Sequence, residues 1–223
     1  RMKRRPDHAI RGAERDLALL FRALAFAAHK HPDQRRKDAE ASPYINHPIA
    51  LAEVLAGEGG IADVEVLAAA LLHDTIEDTD TRLEELEREF GARIAGMVAE
   101  VTDDKNLEKS ERKRLQIEHA AGISPGAKLV KLADKICNLR DVADRPPAQW
   151  GLERRQEYFE WAKQVIDRLR GVHPGLEATF DEVSCTLVIR REGPNGEEVL
   201  FPVLIRTPDR LSIPEIHRVI RHH

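Results

Sequence analysis

The pattern of apolar and polar residues along most of the chain is that of α-helices. Between Arg15 and Lys30, apolar residues recur every three or four positions, which predicts an amphipathic helix with one apolar stripe. Residues 64–72 are almost all apolar, which predicts a helix buried on every side. A dense polar cluster begins directly after it, at His73. We therefore expect functional residues at the end of the most hydrophobic helix. The apolar stripe of the first helix consists of Leu17, Leu20, Phe21, Leu24 and Ala28.

Further helices follow, with recognisable starts and ends. Pro48 suits the first turn of a helix over 49–56, and the glycines that follow end it. Ser124 before Pro125 predicts the capped start of another helix. The last predicted helix runs from about 152 to 169 and ends before Pro174, after which the helical part of the chain is expected to stop.

Beyond residue 180 the apolar period changes from that of a helix to two. The alternating positions are Cys185, Leu187 and Ile189 in a first segment, then Val199, Phe201, Val203 and Ile205 in a second. Pro194-Asn195-Gly196 lies between the segments, and Asn-Gly is a strong signal for a tight turn. The sequence therefore predicts an all-α helical bundle over residues 8–172 and an extension over 176–223 that contains a short C-terminal β-hairpin.

Composition narrows the classes of function. Charged residues make up 33% of the chain, but the net charge is −4, which argues against a basic nucleic-acid coat. The two cysteines, Cys137 and Cys185, form no cysteine-based metal motif. No segment resembles a signal peptide or reaches the length of a membrane-spanning helix. We expect a cytoplasmic protein that has neither a nucleic acid nor a membrane as partner.

Two imidazoles and two carboxylates suggest a metal site: His47 at a helix start, His73 and Asp74 after the buried helix, and Asp134 on a later helix. The interior of a helical bundle offers a cleft in which such side chains can meet around one ion. Nitrogen and oxygen ligands without thiolate suit Mn²⁺, Fe²⁺ or Zn²⁺, and carboxylates favour Mn²⁺ above four-coordination. Spacing alone leaves a second interpretation open, in which each histidine only caps or packs a helix.

Glu77 and Asp78 follow Asp74 by three and four residues, so they can approach a substrate or water near the ion. They are candidates for general acid and base. The alternative is an acidic loop that caps the next helix. Basic residues near this cluster could bind an anion, which favours a small phosphorylated substrate. The alternative is that these charges only form a solvent-exposed surface, as runs of charged residues more often do. These basic residues are Arg35, Arg36, Lys37, Lys109 and Arg154.

Three motifs carry a resemblance to a known family. The segments 43–48 (PYINHP), 71–79 (LLHDTIEDT) and 128–135 (KLVKLADK) resemble the HD-domain hydrolase of the RelA/SpoT family, and above all its small stand-alone alarmone hydrolases. The resemblance covers about residues 14–170, with the motifs in the same order. We expect no synthesis of alarmones, since the remaining residues of this sequence are too few for the second catalytic domain of the family's synthetases.

This resemblance implies an all-α HD-domain helical bundle that removes pyrophosphate from the 3′ position of guanosine tetra- or pentaphosphate with Mn²⁺. It implies Glu77 and Asp78 as the pair that positions and activates the attacking water. It places Arg36 against the purine face, with Tyr44 and Asn138 near the ribose. The implied metal ligands are His47, His73, Asp74 and Asp134, and the implied phosphate-side residues are Lys37, Lys109, Arg154 and Tyr158.

The sequence leaves several alternatives open. Relatives with this fold also act on adenosine 3′-diphosphates or on the 2′-phosphate of NADPH. A different class is a noncatalytic module that binds a nucleotide or RNA, against which the acidic pair and the net charge argue. The expected partner is a small purine nucleotide, and the C-terminal hairpin is a candidate contact for a homo-oligomer. Zn²⁺ or Fe²⁺ are alternatives to Mn²⁺ as the cofactor.

Overall fold

The structure, a computed structural model, describes residues 7–188, 190–192 and 198–200. In these residues the helices are α1 (Asp7–Lys30), α2 (Asn46–Glu53), α3 (Val64–Leu72), α4 (Thr75–Asp78), α5 (Leu83–Phe90), α6 (Ala92–Val101), α7 (Lys109–His119), α8 (Pro125–Asp144), α9 (Leu152–Asp167) and α10 (Pro174–Val188). Helix α2 continues into a π-helical turn, Val54–Glu58, and α7 into a 3₁₀ turn, Ala120–Gly122. Two three-residue strands follow, β1 (Arg190–Glu192) and β2 (Glu198–Leu200). None of the described helices is long and apolar enough to cross a membrane.

Helix α3 forms the centre of the bundle. Its residues from Val66 to Leu72 are all buried, as their almost uniformly apolar character predicts. Helices α1, α2, α6 and α8 pack around it. Because α3 is enclosed on all sides, the polar residues that follow it begin inside the bundle rather than at its surface.

Helix α1 contacts α3, but through a different face from the one its large apolar residues predict. Leu17 and Phe21 are 55% and 62% exposed, whereas Ala23 and Ala27 are completely buried. Small side chains let two helix backbones approach closely, so the alanines occupy the contact that the predicted stripe assigned to Leu17 and Phe21. The prediction of a helix is confirmed, while the prediction of its buried face is wrong at Leu17, Phe21 and Ala28, which are exposed.

Helix α8 begins as its sequence predicts and brings Asp134 into the bundle. The Ser124 hydroxyl accepts a hydrogen bond from the backbone N–H of Ala127 at 3.3 Å, and Pro125 occupies the first turn. Leu132 and Ile136 are fully buried on its core side. Asp134 therefore lies between two core positions on a helix anchored along its length.

Helix α10 lies where the sequence analysis expects the helical part of the chain to have ended. Pro174 is the first residue of this helix. A proline is tolerated there because the N–H of a first helical residue would have no acceptor within the helix, so its loss costs no hydrogen bond. The His173 side chain caps it by accepting a hydrogen bond from the Leu176 N–H at 3.0 Å. Leu176 and Phe180 are completely buried, and α10 packs on α8 and α9. The region assigned to the extension thus contributes a helix to the bundle's core.

The predicted β-hairpin is wrong in its first strand. Cys185 and Leu187 lie in α10, because the four-residue spacing of Leu176, Phe180 and Ser184 places these residues on one buried helical face and continues the helix. In the described residues, β1 pairs antiparallel with β2, and Arg191 lies opposite Val199. The remaining positions predicted for the hairpin lie outside the described residues, namely Ile189, Phe201, Val203, Ile205 and the turn 194–196.

Candidate active site

Three segments that are distant in sequence bring the predicted metal ligands together. His47 is the second residue of α2, His73 and Asp74 lie between α3 and α4, and Asp134 lies on α8. The His47 Nε2 is 3.3 Å from the Asp134 Oδ1, and the His73 Nε2 is 3.0 Å from the Asp74 Oδ2. The ring centroids of the two histidines are 5.2 Å apart. The four side chains therefore surround one small space inside the bundle.

The ligand atoms of His47, His73 and Asp134 all lie within 4.8 Å of one another. Asp74 is not part of that group of three, but its Oδ2 lies 3.0 Å from the His73 Nε2. Both histidines are 4% exposed, so the space between these side chains is closed to bulk water on most sides. The arrangement has the donor set and the closeness that a single divalent cation requires.

The tautomer of His73 supports a cation at this position. The His73 Nδ1 donates to the carbonyl oxygen of Ala70 at 2.8 Å, so the Nε2 is the ring nitrogen that can offer a lone pair to a metal ion once its own proton is lost. That buried Nε2 makes no hydrogen bond and faces a carboxylate oxygen. Two lone pairs that face each other repel unless a proton or a metal ion lies between them. The buried Nδ1 of His47 also makes no hydrogen bond, so the histidines are not satisfied by the protein alone.

The electrostatics of the site point in the same direction. Burial disfavours a charged His73, yet the negative charges of Asp74 and Asp134 outweigh it and raise the pKa of this imidazole to about 9. Burial also opposes the charged form of Asp134, but Lys135 and His47 hold the pKa of its carboxyl well below the ordinary value. Carboxylates that stay ionised inside the bundle attract positive charge, which a divalent ion can supply.

Neighbouring side chains fix the orientation of both carboxylates. The Asp134 Oδ1 accepts a hydrogen bond from the Asn138 side chain at 2.6 Å, and its Oδ2 pairs with the Lys135 ammonium at 2.9 Å. The Tyr44 hydroxyl donates to the Asp74 Oδ2. Burial raises the pKa of Tyr44 far above its ordinary value, so this hydroxyl keeps its proton and remains a donor. The ligand geometry is therefore supported by a second layer of residues.

Glu77 and Asp78 lie on α4, one helical turn after Asp74, in different environments. The Glu77 Oε2 accepts a hydrogen bond from the backbone N–H of Asp103 at 3.1 Å. Burial and the charge of Asp74 raise the pKa of Glu77 to about 7. Asp78 is instead tied down, by the Gln34 side chain at 2.7 Å and by Lys105. Glu77 thus has the proton affinity of a general base or acid near neutral pH.

Two adjoining cavities form the candidate active site. The first, which we call the inner chamber, has a volume of about 240 Å³ and contains the four candidate ligands and Glu77. The second, the outer cavity, has a volume of about 270 Å³ and is lined by basic and aromatic residues, among them Lys37, Trp150 and Tyr158. The residues shared by the two cavities are Arg36, Tyr44, Asp78 and Asn138. A ligand in the outer cavity can therefore extend one end into the inner chamber.

Of the predicted substrate-binding residues, Arg36, Tyr44 and Asn138 lie at the junction of the cavities, and Lys37 and Tyr158 line the outer cavity. Arg36 is held by the Asn138 Oδ1 at 3.1 Å and by an ion pair with Asp141. Burial raises the pKa of Tyr158 to about 12, so its hydroxyl remains a hydrogen-bond donor.

Lys109 and Arg154 are not among the described residues that line either cavity. The pKa of Lys109 is nevertheless lowered, by burial first and then by the positive charges of Arg154, Lys37 and Arg112. Mutual repulsion among cations marks a region of positive potential. The structure thus places these two residues beside the outer cavity rather than within it.

Several residues of the site were not found by sequence reasoning. Gln34 and Lys105 hold Asp78, Asp103 holds Glu77, and Asp141 pairs with Arg36. Trp150 lines the outer cavity. Of these residues, only Asp141 could have been predicted from the sequence as a site residue. It follows Asn138 by three residues and therefore lies on the same face of α8. The others act through contacts between segments that no local spacing reveals.

Comparison with known proteins agrees with this architecture. The model of the HD domain matches residues 23–158, which contain all the candidate ligands. The chain belongs to the HD-domain family.

It is 57% identical over 176 residues to the mouse guanosine-3′,5′-bis(diphosphate) 3′-pyrophosphohydrolase MESH1, an alignment that covers 77% of this chain and 98% of the mouse protein. The human MESH1 is 59% identical over 162 residues, with 73% of this chain and 90% of the human protein covered. Among HD-domain proteins, the chain thus groups with MESH1.

A solved structure shares the fold. It is described as a metazoan orthologue of SpoT that hydrolyses ppGpp and plays a role in starvation responses. The TM-score is 0.72 at 54% sequence identity, and the alignment covers 74% of this chain and 93% of that chain. The helical HD-domain fold implied by the sequence motifs is therefore confirmed, and so is the resemblance to small SpoT-like hydrolases.

Proposed function

We propose that this protein hydrolyses the 3′-pyrophosphate of guanosine tetra- and pentaphosphate and releases pyrophosphate together with GDP or GTP. The observation that carries the proposal is the junction of the two cavities. A cluster suited to a divalent cation lies beside a carboxyl with a pKa of about 7, and a basic and aromatic cavity opens directly onto both. The mouse and human relatives are named for this reaction, which supports the same assignment for this chain.

His47, His73, Asp74 and Asp134 would hold the cation. The buried, unpartnered Nε2 of His73 opposite a carboxylate supports this assignment. Two imidazoles and two carboxylates suit Mn²⁺, with Zn²⁺ and Fe²⁺ as alternatives. When bound, such an ion supplies Lewis-acid polarisation of a phosphoryl oxygen and neutralises charge that develops in the transition state.

The chain's own residues supply the remaining chemistry. Glu77 takes a proton from the attacking water, since its pKa of about 7 lets it accept a proton near neutral pH and release it afterwards. Asp78, held by Gln34 and Lys105, orients that water as a fixed acceptor. Attack of the water oxygen at the 3′-proximal phosphorus breaks the bond to the 3′-oxygen, which receives the proton that Glu77 took up, and pyrophosphate departs with the water's oxygen.

The outer cavity would bind the nucleoside and its phosphates. Arg36 is oriented by Asn138 and Asp141, so its planar guanidinium is available to stack on a purine. Tyr44 and Asn138 lie at the junction, where the ribose would connect the base to the 3′-phosphates. Lys37, Lys109, Arg154 and Tyr158 supply positive charge and a hydroxyl donor toward the phosphates.

The decisive experiment measures release of pyrophosphate and orthophosphate from a panel of nucleotides, with Mn²⁺ and after chelation. The panel contains guanosine tetraphosphate, the matching adenosine 3′-diphosphate and NADPH. We expect metal-dependent release of pyrophosphate, fastest from the guanosine compound. A preference for the adenosine compound, or orthophosphate release from NADPH alone, would replace the proposed substrate. Salt-dependent RNA binding without release from any nucleotide would instead identify a noncatalytic module.

Residues 8–172 contain every residue proposed for catalysis and binding, and they remain the predicted hydrolase domain. The segment 176–223, whose first part belongs to α10, is proposed to provide a contact between two copies of the chain. Among the described residues β1 pairs only with β2, which supports this contact, because a two-stranded sheet of three residues a side is marginal without a surface to pack on. Sedimentation velocity over a dilution series should show a reversible dimer, and a monomer at all concentrations would refute the contact.

A further inference from the structure

The Glu77 carboxylate is held by a residue outside its own helix. Its Oε2 accepts a hydrogen bond from the backbone N–H of Asp103, which belongs to the connection between α6 and α7. A backbone donor directs a carboxylate only as well as its own position is fixed. The orientation of Glu77 therefore depends on what holds residues 101–103 in place.

Two side chains from other helices hold this connection. Lys131 on α8 donates to the carbonyl oxygen of Val101 at 3.0 Å, and Gln116 on α7 donates from its Nε2 to the Asp103 Oδ2 at 2.5 Å. Lys131 fixes the end of α6. Gln116 bonds to the same residue whose N–H reaches Glu77, so a displacement of Gln116 is transmitted directly to the catalytic carboxylate.

Gln116 has features that packing alone does not explain. None of the residues of α7 is fully buried, so this helix contributes little to the apolar core. Gln116 nevertheless points its amide inward, where it lines the inner chamber, and its buried Oε1 makes no hydrogen bond in the described part of the chain. An unsatisfied buried amide oxygen is unfavourable and suggests that the side chain is kept for the bond its Nε2 makes.

We propose that Gln116 is a positioning residue, which, through the hydrogen bond to Asp103, sets the orientation of the Glu77 carboxylate for proton transfer. The inference deepens the proposed hydrolase function and rests on it for its kinetic consequences. The inference also states that Gln116 affects Glu77 through Asp103, and this coupling can be tested in the protein without substrate.

Asp103 acts on Glu77 in two opposite ways, which makes the proposal measurable. Its backbone hydrogen bond lowers the pKa of Glu77, whereas the negative charge of its side chain raises that pKa. Gln116→Met keeps the length and the helix preference of the side chain but removes the donor, so the N–H of Asp103 loosens and the pKa of Glu77 should rise. Asp103→Asn keeps an oxygen acceptor for Gln116 and removes the charge, so that pKa should fall.

Other charged groups around Glu77 are left unchanged by these substitutions. Asp74 and Asp78 flank it on its own segment, Arg112 of α7 lies 4.0 Å from its Oε1, and Lys131 of α8 interacts with it electrostatically. Since both variants keep these groups, a difference between them reports on Asp103 and Gln116. Glu118→Gln serves as the matched control, because Glu118 lies on the same helix but is paired with Arg114 on the exposed side.

The experiment titrates the Glu77 carboxyl by ¹³C NMR in chelated, glutamate-labelled protein, with the resonance identified by its loss in Glu77→Gln. The expected result is a higher pKa in Gln116→Met, a lower pKa in Asp103→Asn and no change in Glu118→Gln. In the Mn²⁺-loaded enzyme, Gln116→Met should lower kcat about tenfold, because a catalytic group that is misplaced by less than 1 Å loses a large part of its effect. KM should stay within about twofold, since Gln116 bonds to Asp103 and not to a residue that we propose for nucleotide binding.

An unchanged Glu77 titration in Gln116→Met, or a loss confined to KM, would overturn the inference. If Gln116→Met fails to fold by circular dichroism, Gln116→Leu, which also removes the donor to Asp103, takes its place and is judged by the same titration. Absence of pyrophosphate release by the wild-type protein would refute the proposed function, while the titrations would still decide whether Gln116 acts on Glu77.

Discussion

The inner chamber and the outer cavity differ in how their charged groups are held. In the inner chamber the side chains of His47 and His73 are 2% and 5% exposed, and the Asp134 carboxylate there is held by Asn138 and Lys135. At the outer cavity the side chains of Arg36 and Arg154 are 21% and 38% exposed, and their acidic partners lie on the rim. The side chains of the inner chamber are therefore held in one geometry, whereas the charged side chains at the outer cavity can change their position when a ligand binds.

This difference assigns different consequences to substitutions in the two regions. Removing one member of a buried, mutually bonded cluster leaves its partners unpaired inside the protein and disrupts the whole geometry. Removing a partly exposed cation leaves a partner that water can solvate. We therefore expect inner substitutions to affect metal content and kcat, and outer substitutions to affect KM.

The largest effect is expected at the candidate ligands. Asp134→Asn and His73→Ala should lower the bound Mn²⁺ to below stoichiometric levels and reduce turnover by about a thousandfold or more, because several kcal/mol of charge stabilisation are lost. Metal content after dialysis and pyrophosphate release measure the two effects. Asp144→Asn, on the exposed side of the same helix, should behave as wild type. A full complement of metal in both ligand variants would contradict the assignment.

A smaller effect is expected at the proposed base. Glu77→Gln should lower kcat by about a hundredfold or more, the usual contribution of a general base, and leave metal binding intact. Asp78→Asn should also lower kcat. Isothermal titration with Mn²⁺ and steady-state kinetics separate the two properties. Wild-type turnover in both variants would show that the acidic pair has no part in catalysis.

At the outer cavity, Arg36→Ala should raise KM about tenfold with little change in kcat, because a stacking contact that is equal in ground and transition state contributes to binding alone. Arg36→Lys should not restore KM, since an ammonium lacks the planar face. Arg114→Ala, at an exposed ion pair on α7, is the control. The distinction between the two regions would fail if Arg36→Ala reduced kcat as strongly as Glu77→Gln.

The smallest effect concerns stability and its dependence on pH. The pKa of Glu77 is raised from 4.5 to about 7 on folding, so the folded state binds a proton more tightly than the unfolded state. The contribution of Glu77 to the free energy of unfolding is therefore greatest below pH 4.5 and falls as the pH rises toward 7. The loss is at most about 3 kcal/mol, from about 1.4 kcal/mol for each pKa unit. Glu77→Gln avoids this loss.

Urea denaturation in the presence of a chelator tests this prediction. The free energy of unfolding of Glu77→Gln should exceed that of the wild type at pH 8.5, and the gap should close as the pH is lowered below 4.5. A gap that is the same at both pH values would show that Glu77 has an ordinary pKa in the folded protein.

Local sequence patterns were sufficient for much of the molecule. The uniformly apolar segment before His73 was correctly predicted as the buried centre, and the Ser124–Pro125 cap was confirmed at the start of α8. The four candidate ligands, which the motifs indicate, lie together in the structure, while their roles remain a proposal. Such features are predictable because capping, burial and helical spacing act within a few residues of one another.

Other features were missed or wrong for a common reason. The alternation of Cys185 and Leu187 predicts a strand, but both residues lie in α10. The prediction is wrong because this helix is fixed by the buried face that Leu176 and Phe180 form against α8, which the alternation does not reveal. On α1, the alanines rather than Phe21 face the core. In both cases a neighbouring helix decides which side of the segment is buried, and the segment's own pattern does not contain that information.

The sequence by itself determined the class of fold, and it indicated the candidate ligands of the inner chamber and the acidic pair beside them. Only the tertiary structure decided which groups hold that pair, namely Gln34 and Lys105 for Asp78 and the Asp103 N–H for Glu77. It also decided that Glu77 titrates near neutral pH, because burial and the charge of Asp74 depend on segments folded around it. The physical reason is that residue types and short spacings are written along the chain, whereas burial and contacts between distant segments arise only when the helices pack.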